Sequence, residues 1–263
     1  MINLRIAQWR AWAPSLHSYE DWQAWAKSPW TPADQGEQPD CAFLPPMQRR
    51  RLSRMARMAM DVAWPLCGKD EQLPLVFASR HGEIQRTYGL LGDVADQQPL
   101  SPTQFGLSVH NAIAGQWSIL RGQRGEASAI AGEADTFEHA MLEAATLLDQ
   151  GAPAVIMVIA EERPPSAYDA WIDDVPFSYA LALRVGEPQP GQDASSTSRW
   201  QLQLTRNIAD TNNADKSQAS TPHSAWPHAL DFLRALHEPG ASLEHAFLEH
   251  AWKTRRWIWQ RLP

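Results

Sequence analysis

Cysteine is nearly absent from this sequence: Cys41 and Cys67 are the two in 263 residues. Their spacing fits neither a C-x-x-C metal or redox pattern nor a disulfide framework, and it points to a reducing, cytoplasmic setting. Basic charge is also scarce, with 23 Lys and Arg against 30 Asp and Glu and a formal net charge of −7. Such a chain has no overall attraction for a nucleic-acid backbone or an anionic bilayer, so neither is expected as a partner. No apolar run reaches the ~18 residues of a membrane span, and no basic segment followed by an apolar stretch opens the chain, so neither insertion nor secretion is expected. G-x-S-x-G, P-loop, G-x-G-x-x-G and H-E-x-x-H motifs are all missing, which removes the common sequence signals of hydrolases, nucleotide binders and zinc proteases.

What is present is ample core material, 44% hydrophobic residues, and 13 tryptophans. Trp9, Trp12, Trp22, Trp25 and Trp30 cluster near the start and Trp252, Trp257 and Trp259 near the end. Closure of a core where the termini meet is the favoured reading, and an aromatic interface the other. Alternation from Ile2 to Trp9 predicts a strand, and Ser18 is placed to N-cap a short helix to Lys27. Leu52, Met55, Ala59 and Val62 predict a helix from Leu52 to Trp64. Leu75 to Ala78 reads as a strand and Gly82 as the opening of a further helix, with Thr103 to Leu120 also helical. Ala127 to Gly132, the helical face Phe137, Met141, Ala144 and Leu148, and the wholly apolar Ala154 to Ala160 form a βαβ unit. An apolar run without alternation is the mark of a parallel strand buried on both faces, so residues 1–162 read as an α/β unit with a mostly parallel sheet.

Beyond Pro164, Ser178 to Val185 and Trp200 to Thr205 alternate as antiparallel strands do. Polar segments at 186–198 and 208–224 read as mobile loops. Two helices, Ala225 to His237 and Ser242 to Trp259, are expected to finish residues 163–263.

Candidate chemistry is sparse. His245, Glu249 and His250 share the expected last helix, but the histidines fall about 140° apart on it, unlike a zinc pair at i and i+4, so no metal or other cofactor is expected. Ser79, Arg80 and His81 end a buried strand, the edge where open α/β sheets bind ligands. Ser79 and His81 point to opposite sides of an extended chain, which disfavours a dyad, and a polar turn with Gly82 at positive φ explains them as well. Arg50, Arg54 and Arg57 share a helical face, either a solvated one or a docking patch for an acidic partner.

The stretch from Phe43 to Ala59, the run Ser79-Arg80-His81-Gly82-Glu83, and the segments Ser101 to Phe105, Ser108 to Ala112 and Ala114 to Ile119 together resemble the β-ketoacyl synthase-like proteins of aryl polyene (xanthomonadin-type) pigment clusters. The resemblance implies a thiolase-like fold in its N-terminal half, with a truncated antiparallel and helical remnant after Glu162, where the likeness is poor. It puts the nucleophilic cysteine of a ketosynthase at or beside Ala134, in Gly132-Glu133-Ala134-Asp135-Thr136, where there is no thiol. An alanine methyl cannot accept an acyl chain. The implied role is that of a chain length factor: a subunit without catalysis of its own, paired with an active ketosynthase, shaping an acyl tunnel fed by an acyl carrier protein. Ser79, Arg80, His81, Phe105, Ser108, His110, Asn111 and Ile130 are then the tunnel or interface candidates. The rival from another class is a stand-alone acyltransferase or thioester hydrolase using Cys67, Cys41 or Ser79.

Overall fold

A computed structural model of the chain describes residues 1–191, 197–206, 226–237 and 247–263. The elements follow in chain order as β1 (Ile2–Trp12), α1 (Tyr19–Lys27), α2 (Pro46–Arg49), α3 (Arg54–Ala63), β2 (Leu75–Ala78), α4 (Ile84–Ala95), α5 (Pro102–Gly106), α6 (Ala112–Arg121), β3 (Ala127–Ile130), α7 (Thr136–Asp149), β4 (Ala154–Glu161), β5 (Tyr179–Gly186), β6 (Ser198–Arg206), α8 (His228–His237), β7 (Phe247–Trp252) and β8 (Arg255–Leu262). All eight strands join one sheet in the order β3-β2-β4-β5-β1-β6-β8-β7. β2 runs parallel to β3 and β4, and every other pairing is antiparallel.

Residue chemistry explains the layers. In β4 all eight residues are buried, and alternate side chains enter opposite cores. Val155, Met157 and Ile159 pack with α7, α8 and the tryptophans of α1, while Ile156, Val158 and Ala160 pack with α3 and α6. A strand covered by helices on both faces has no polar side to present. Ser18 caps α1 as expected, its hydroxyl accepting from the Asp21 amide while the Asp21 carboxylate accepts from the Ser18 amide. Trp22, Trp25, Trp200, Trp257 and Trp259 are all fully buried in the core shared by α1, α7 and α8, so these five close the core, whereas Trp30 and Trp171 are exposed.

Three expectations need correction. The helix expected from Ser242 to Trp259 is, over its described part, the β7–β8 hairpin; residues 242–246, with His245, lie outside the described residues. Trp257 and Trp259 are buried while Gln260 is exposed, the period of two of a strand rather than that of the expected helix. The helix expected from Thr103 to Leu120 is broken between Gly106 and Ala112, where His110 turns in to bond the Ser79 carbonyl at 2.8 Å. Among the first 162 residues β1 does not join the parallel strands: it lies between β5 and β6, antiparallel to both. The expected loop at 208–224 and residues 192–196 of that at 186–198 lie outside the described residues.

Gly186 closes β5 at φ +110°, and a Cβ there would sit 2.7 Å from the Pro153 carbonyl and 2.8 Å from Leu148 Cδ2. Gly186→Ala is therefore expected to destabilise the chain by more than about 1 kcal/mol, read as a lower urea midpoint at an unchanged slope.

Candidate functional site

The C-terminal ends of β2 and β4 and the turn between β3 and α7 open on a cavity of about 450 Å³. Arg80, Ile159 and Glu161 line it from the strand ends, and Glu133, Ala134, Thr136 and Phe137 from the turn. The 171–179 segment adds Trp171, Asp173 and Asp174, while His228 of α8 and His250 and Trp252 of β7 close the far side. A ligand cavity outside the carboxyl ends of parallel strands is the expected place in an open α/β sheet.

The β3–α7 turn is tightly built. Glu133 adopts φ +58°, and the Thr136 hydroxyl donates to the Glu133 carbonyl at 2.7 Å while accepting from the Gly132 amide at 3.0 Å. Thr136 is thus occupied locally and is no free nucleophile. Three acids of this turn and of the helix it opens reach the C-terminal strands and α8. Glu133 accepts from Trp252 Nε1 and Lys253 Nζ, both at 2.6 Å. Asp135, fully buried, accepts from Arg255 at 2.5 and 2.9 Å and from Trp257 Nε1 at 2.8 Å. Glu138, fully buried, lies 2.6 Å from His250 Nδ1 and 3.0 Å from His228 Nδ1. Burial alone would raise the Glu138 carboxyl, but the charges and hydrogen bonds of the two histidines outweigh it and hold it well below the usual range. For His250 burial works against the charge, yet Asp231 and Glu138 push the imidazole up to about 9.

Glu161 lies on the opposite wall. Burial drives its carboxyl up to about 7, against the Arg80 amide, the charge of His81, the His81 amide and the Ser79 hydroxyl. Arg80 donates to Asp174 at 2.7 Å, and His81 Nε2 lies 3.1 Å from the same carboxylate.

The sequence candidates therefore divide. Arg80 and Ala134 line the cavity, and His81 reaches its wall through Asp174. Ser79 does not: it is fully buried, donating to Glu161 at 3.1 Å and accepting from the Gly82 amide at 2.8 Å, with no imidazole among the described residues on its hydroxyl. It is a strut of the strand end rather than a pocket gate or a nucleophile. Phe105 and Asn111 are exposed, Ser108 bonds back to the Phe105 carbonyl, and His110 packs beside Phe77; all four lie outside the cavity. Ile130 is half-buried at the end of β3, an edge strand. Cys41 and Cys67 sit in the core of the opposite sheet face. Burial, then the Asp61 charge, pushes the Cys41 thiol up to about 12, and burial also raises Cys67, so neither is the thiolate a hydrolase needs.

The arginines do not form one docking face either. Arg54 is drawn inward, donating to Asp34 at 2.5 and 3.1 Å and to Ser178 at 2.9 Å. Arg57 donates to the carbonyls of Pro39 and Arg49 at 3.2 and 2.7 Å. Arg50 remains exposed, outside α3. Spacing placed them together; buried acceptors claimed two of the three.

Residues 22–260 match the family model described as β-ketoacyl synthase, N-terminal domain. The chain belongs to this family. The match runs far past Glu162, which corrects the expectation that the likeness fades there. A chain in the structure of a ketosynthase (ApeO) in complex with its chain length factor (ApeC) from Xenorhabdus doucetiae is similar to this β-ketoacyl synthase relative at 28% identity and a TM-score of 0.76, over 99% of this chain and 100% of that one. The ishigamide ketosynthase/chain length factor is similar at 15% identity and TM-score 0.60, over 80% of this chain and 69% of that one. A β-ketoacyl synthase from Burkholderia phymatum is similar at 12% and 0.55, over 81% and 66%. At those last two identities the likeness is one of fold. Comparison with curated proteins gives no match. The family fold, a thiolase-like α/β unit, is thus present with an alanine on the cavity wall at the turn where a nucleophile was sought.

The missed residues are Glu138, His228, Asp231, Asp135 and Arg255. Asp135 stood in the quoted turn without a role and Glu138 as a charge beside the apolar face of α7; Arg255 reaches Asp135, and His228 reaches Glu138, from more than 80 residues along the chain.

Glu161 gives a pH test. Its pKa in the fold, about 7, lies above its usual value, so its contribution to stability is complete below the unfolded pKa and is lost as pH rises through about 7. Between pH 5 and pH 8 the wild type is expected to lose stability relative to Glu161→Gln, by at most about 3 kcal/mol, in paired urea titrations.

Proposed function

We propose that this chain is a chain length factor: a subunit without condensing activity that pairs with an active β-ketoacyl-ACP synthase and shapes the acyl tunnel in aryl polyene biosynthesis. The observation that carries the reading is Ala134 on the wall of the cavity at the β3–α7 turn, with both thiols buried on the other face of the sheet. The substrate class is an acyl chain delivered by an acyl carrier protein, and the setting cytoplasmic; no helix among the described residues is long and apolar enough to cross a membrane.

A second observation supports a partner. α4 has no buried residue, and its Tyr88, Leu91 and Val94 are all exposed. Leu100, Phe105, Val109 and Ile119, in the same segment between β2 and β3, are exposed too, Ile119 at 82%. Seven large apolar side chains left in water within one segment are the mark of an interaction surface. β3 adds the outer edge of the sheet, made of small residues that permit close approach of another strand. A ketosynthase subunit is the occupant that the likeness to the ApeO–ApeC complex supports. The hydrolase reading loses its nucleophiles, since Cys41, Cys67 and Ser79 are all buried away from the cavity.

Co-expression with the ketosynthase of the same gene cluster is expected to give a heterodimer by native mass spectrometry. Leu91→Asp with Val94→Asp, which alters exposed positions and spares the core, and separately Ile130→Arg, are each expected to weaken it a hundred-fold or more, about 3 kcal/mol. Pairing at undiminished affinity in both variants would remove this face from the account.

A further inference from the structure

Two histidines and a glutamate meet beside the cavity from three elements: Glu138 in the first turn of α7, His228 at the first position of α8, and His250 within β7. The Nδ1 atoms of His250 and His228 face separate oxygens of the one carboxylate at 2.6 and 3.0 Å. One ligand atom from each of the three falls within 4.8 Å of the others. Two imidazoles and a carboxylate make a donor set suited to zinc and its first-row neighbours. Behind His250, Asp231 places a carboxylate oxygen 3.6 Å from Nε2, the outer position from which acids orient metal-bound histidines. His228 and His250 both line the cavity, so a bound ion would not be sealed off from it. Neither the pairing nor the chain-length reading uses these residues.

We propose that Glu138, His228 and His250 form a divalent-cation site, suited to Zn²⁺ or Co²⁺, whose remaining coordination positions open on the cavity. The two rings stack, 3.8 Å apart and 9° from parallel. An imidazole lone pair lies in its ring plane, and an ion midway between parallel planes would lie in neither, so binding turns at least one ring. His228 is the ring with freedom to turn, because it is only partly buried and borders the cavity, whereas His250 is held between Glu138 and Asp231. Water, or an anionic group of a ligand in the cavity, completes the coordination. The sequence had paired His250 with His245 and Glu249 on a helix; the strand instead turns His250 toward α7.

Protein stripped by a chelator and dialysed is titrated with Co²⁺, followed by its visible ligand-field bands, and with Zn²⁺ by calorimetry. One ion per chain is expected, Zn²⁺ displacing Co²⁺, with the imidazole nitrogen resonances of His228 and His250 moving together. His228→Ala, at a partly exposed site, is expected to weaken binding about 100-fold and Asp231→Asn about 10-fold. The near-isosteric Glu138→Gln serves as a further ligand variant, each checked for folding by circular dichroism. A folded wild type that takes up neither ion would overturn the site. So would an ion held equally well by folded His228→Ala, since other histidines would then be its ligands.

Discussion

Two buried carboxylates organise this molecule. Asp135 and Glu138 are both fully buried, and a carboxylate out of water is tolerated only with its charge met and its lone pairs filled. Both sets of partners come from the far end of the chain: Arg255 and Trp257 for Asp135, His228 and His250 for Glu138. Removing one partner of such a pair costs about 3–5 kcal/mol because the other charge is left stranded. The β7–β8 hairpin and α8 are therefore as necessary to the β3–α7 turn as the strand that leads into it. The cavity has its shape because these elements meet.

That dependence explains which parts of the fold were legible. β2 and β4 stood out because four and eight consecutive residues are buried whole, a pattern that owes nothing to distant partners. Ser18 and Gly82 were readable for the same reason: a capping hydroxyl and a positive φ are local matters. The β7–β8 hairpin was not, because Trp257 and Trp259 take their places from pairing with β6 and from packing, Trp257 on His139 and Trp259 on Phe137 and Phe232, contacts that no window of the sequence contains. Arg54 failed similarly, since Asp34 and Ser178 draw it inward from 20 and 124 residues away. Of the site, Arg80 and Ala134 were found through strand ends and a family register. The ion cluster was assembled by tertiary structure alone.

The cavity and the exposed α4–α6 segment describe one division of labour. In the proposed reading the cavity keeps the turn and the polar walls of a ketosynthase site, and Ala134 offers an inert methyl group where that enzyme has a thiol. The apolar side chains of α4, α5 and α6 remain in water when the chain is alone, which isolated folding does not favour. A partner that covers this face and brings a thiolate of its own resolves both features together.

The most direct test follows the acyl group itself. The chain and its ketosynthase, alone and together, are incubated with acyl carrier protein bearing a labelled acyl thioester, and the intact subunits are weighed. The account predicts the added acyl mass on the ketosynthase and none on this chain under any condition; an acyl adduct on this chain, mapped to Cys41, Cys67, Ser79 or Thr136, would contradict it.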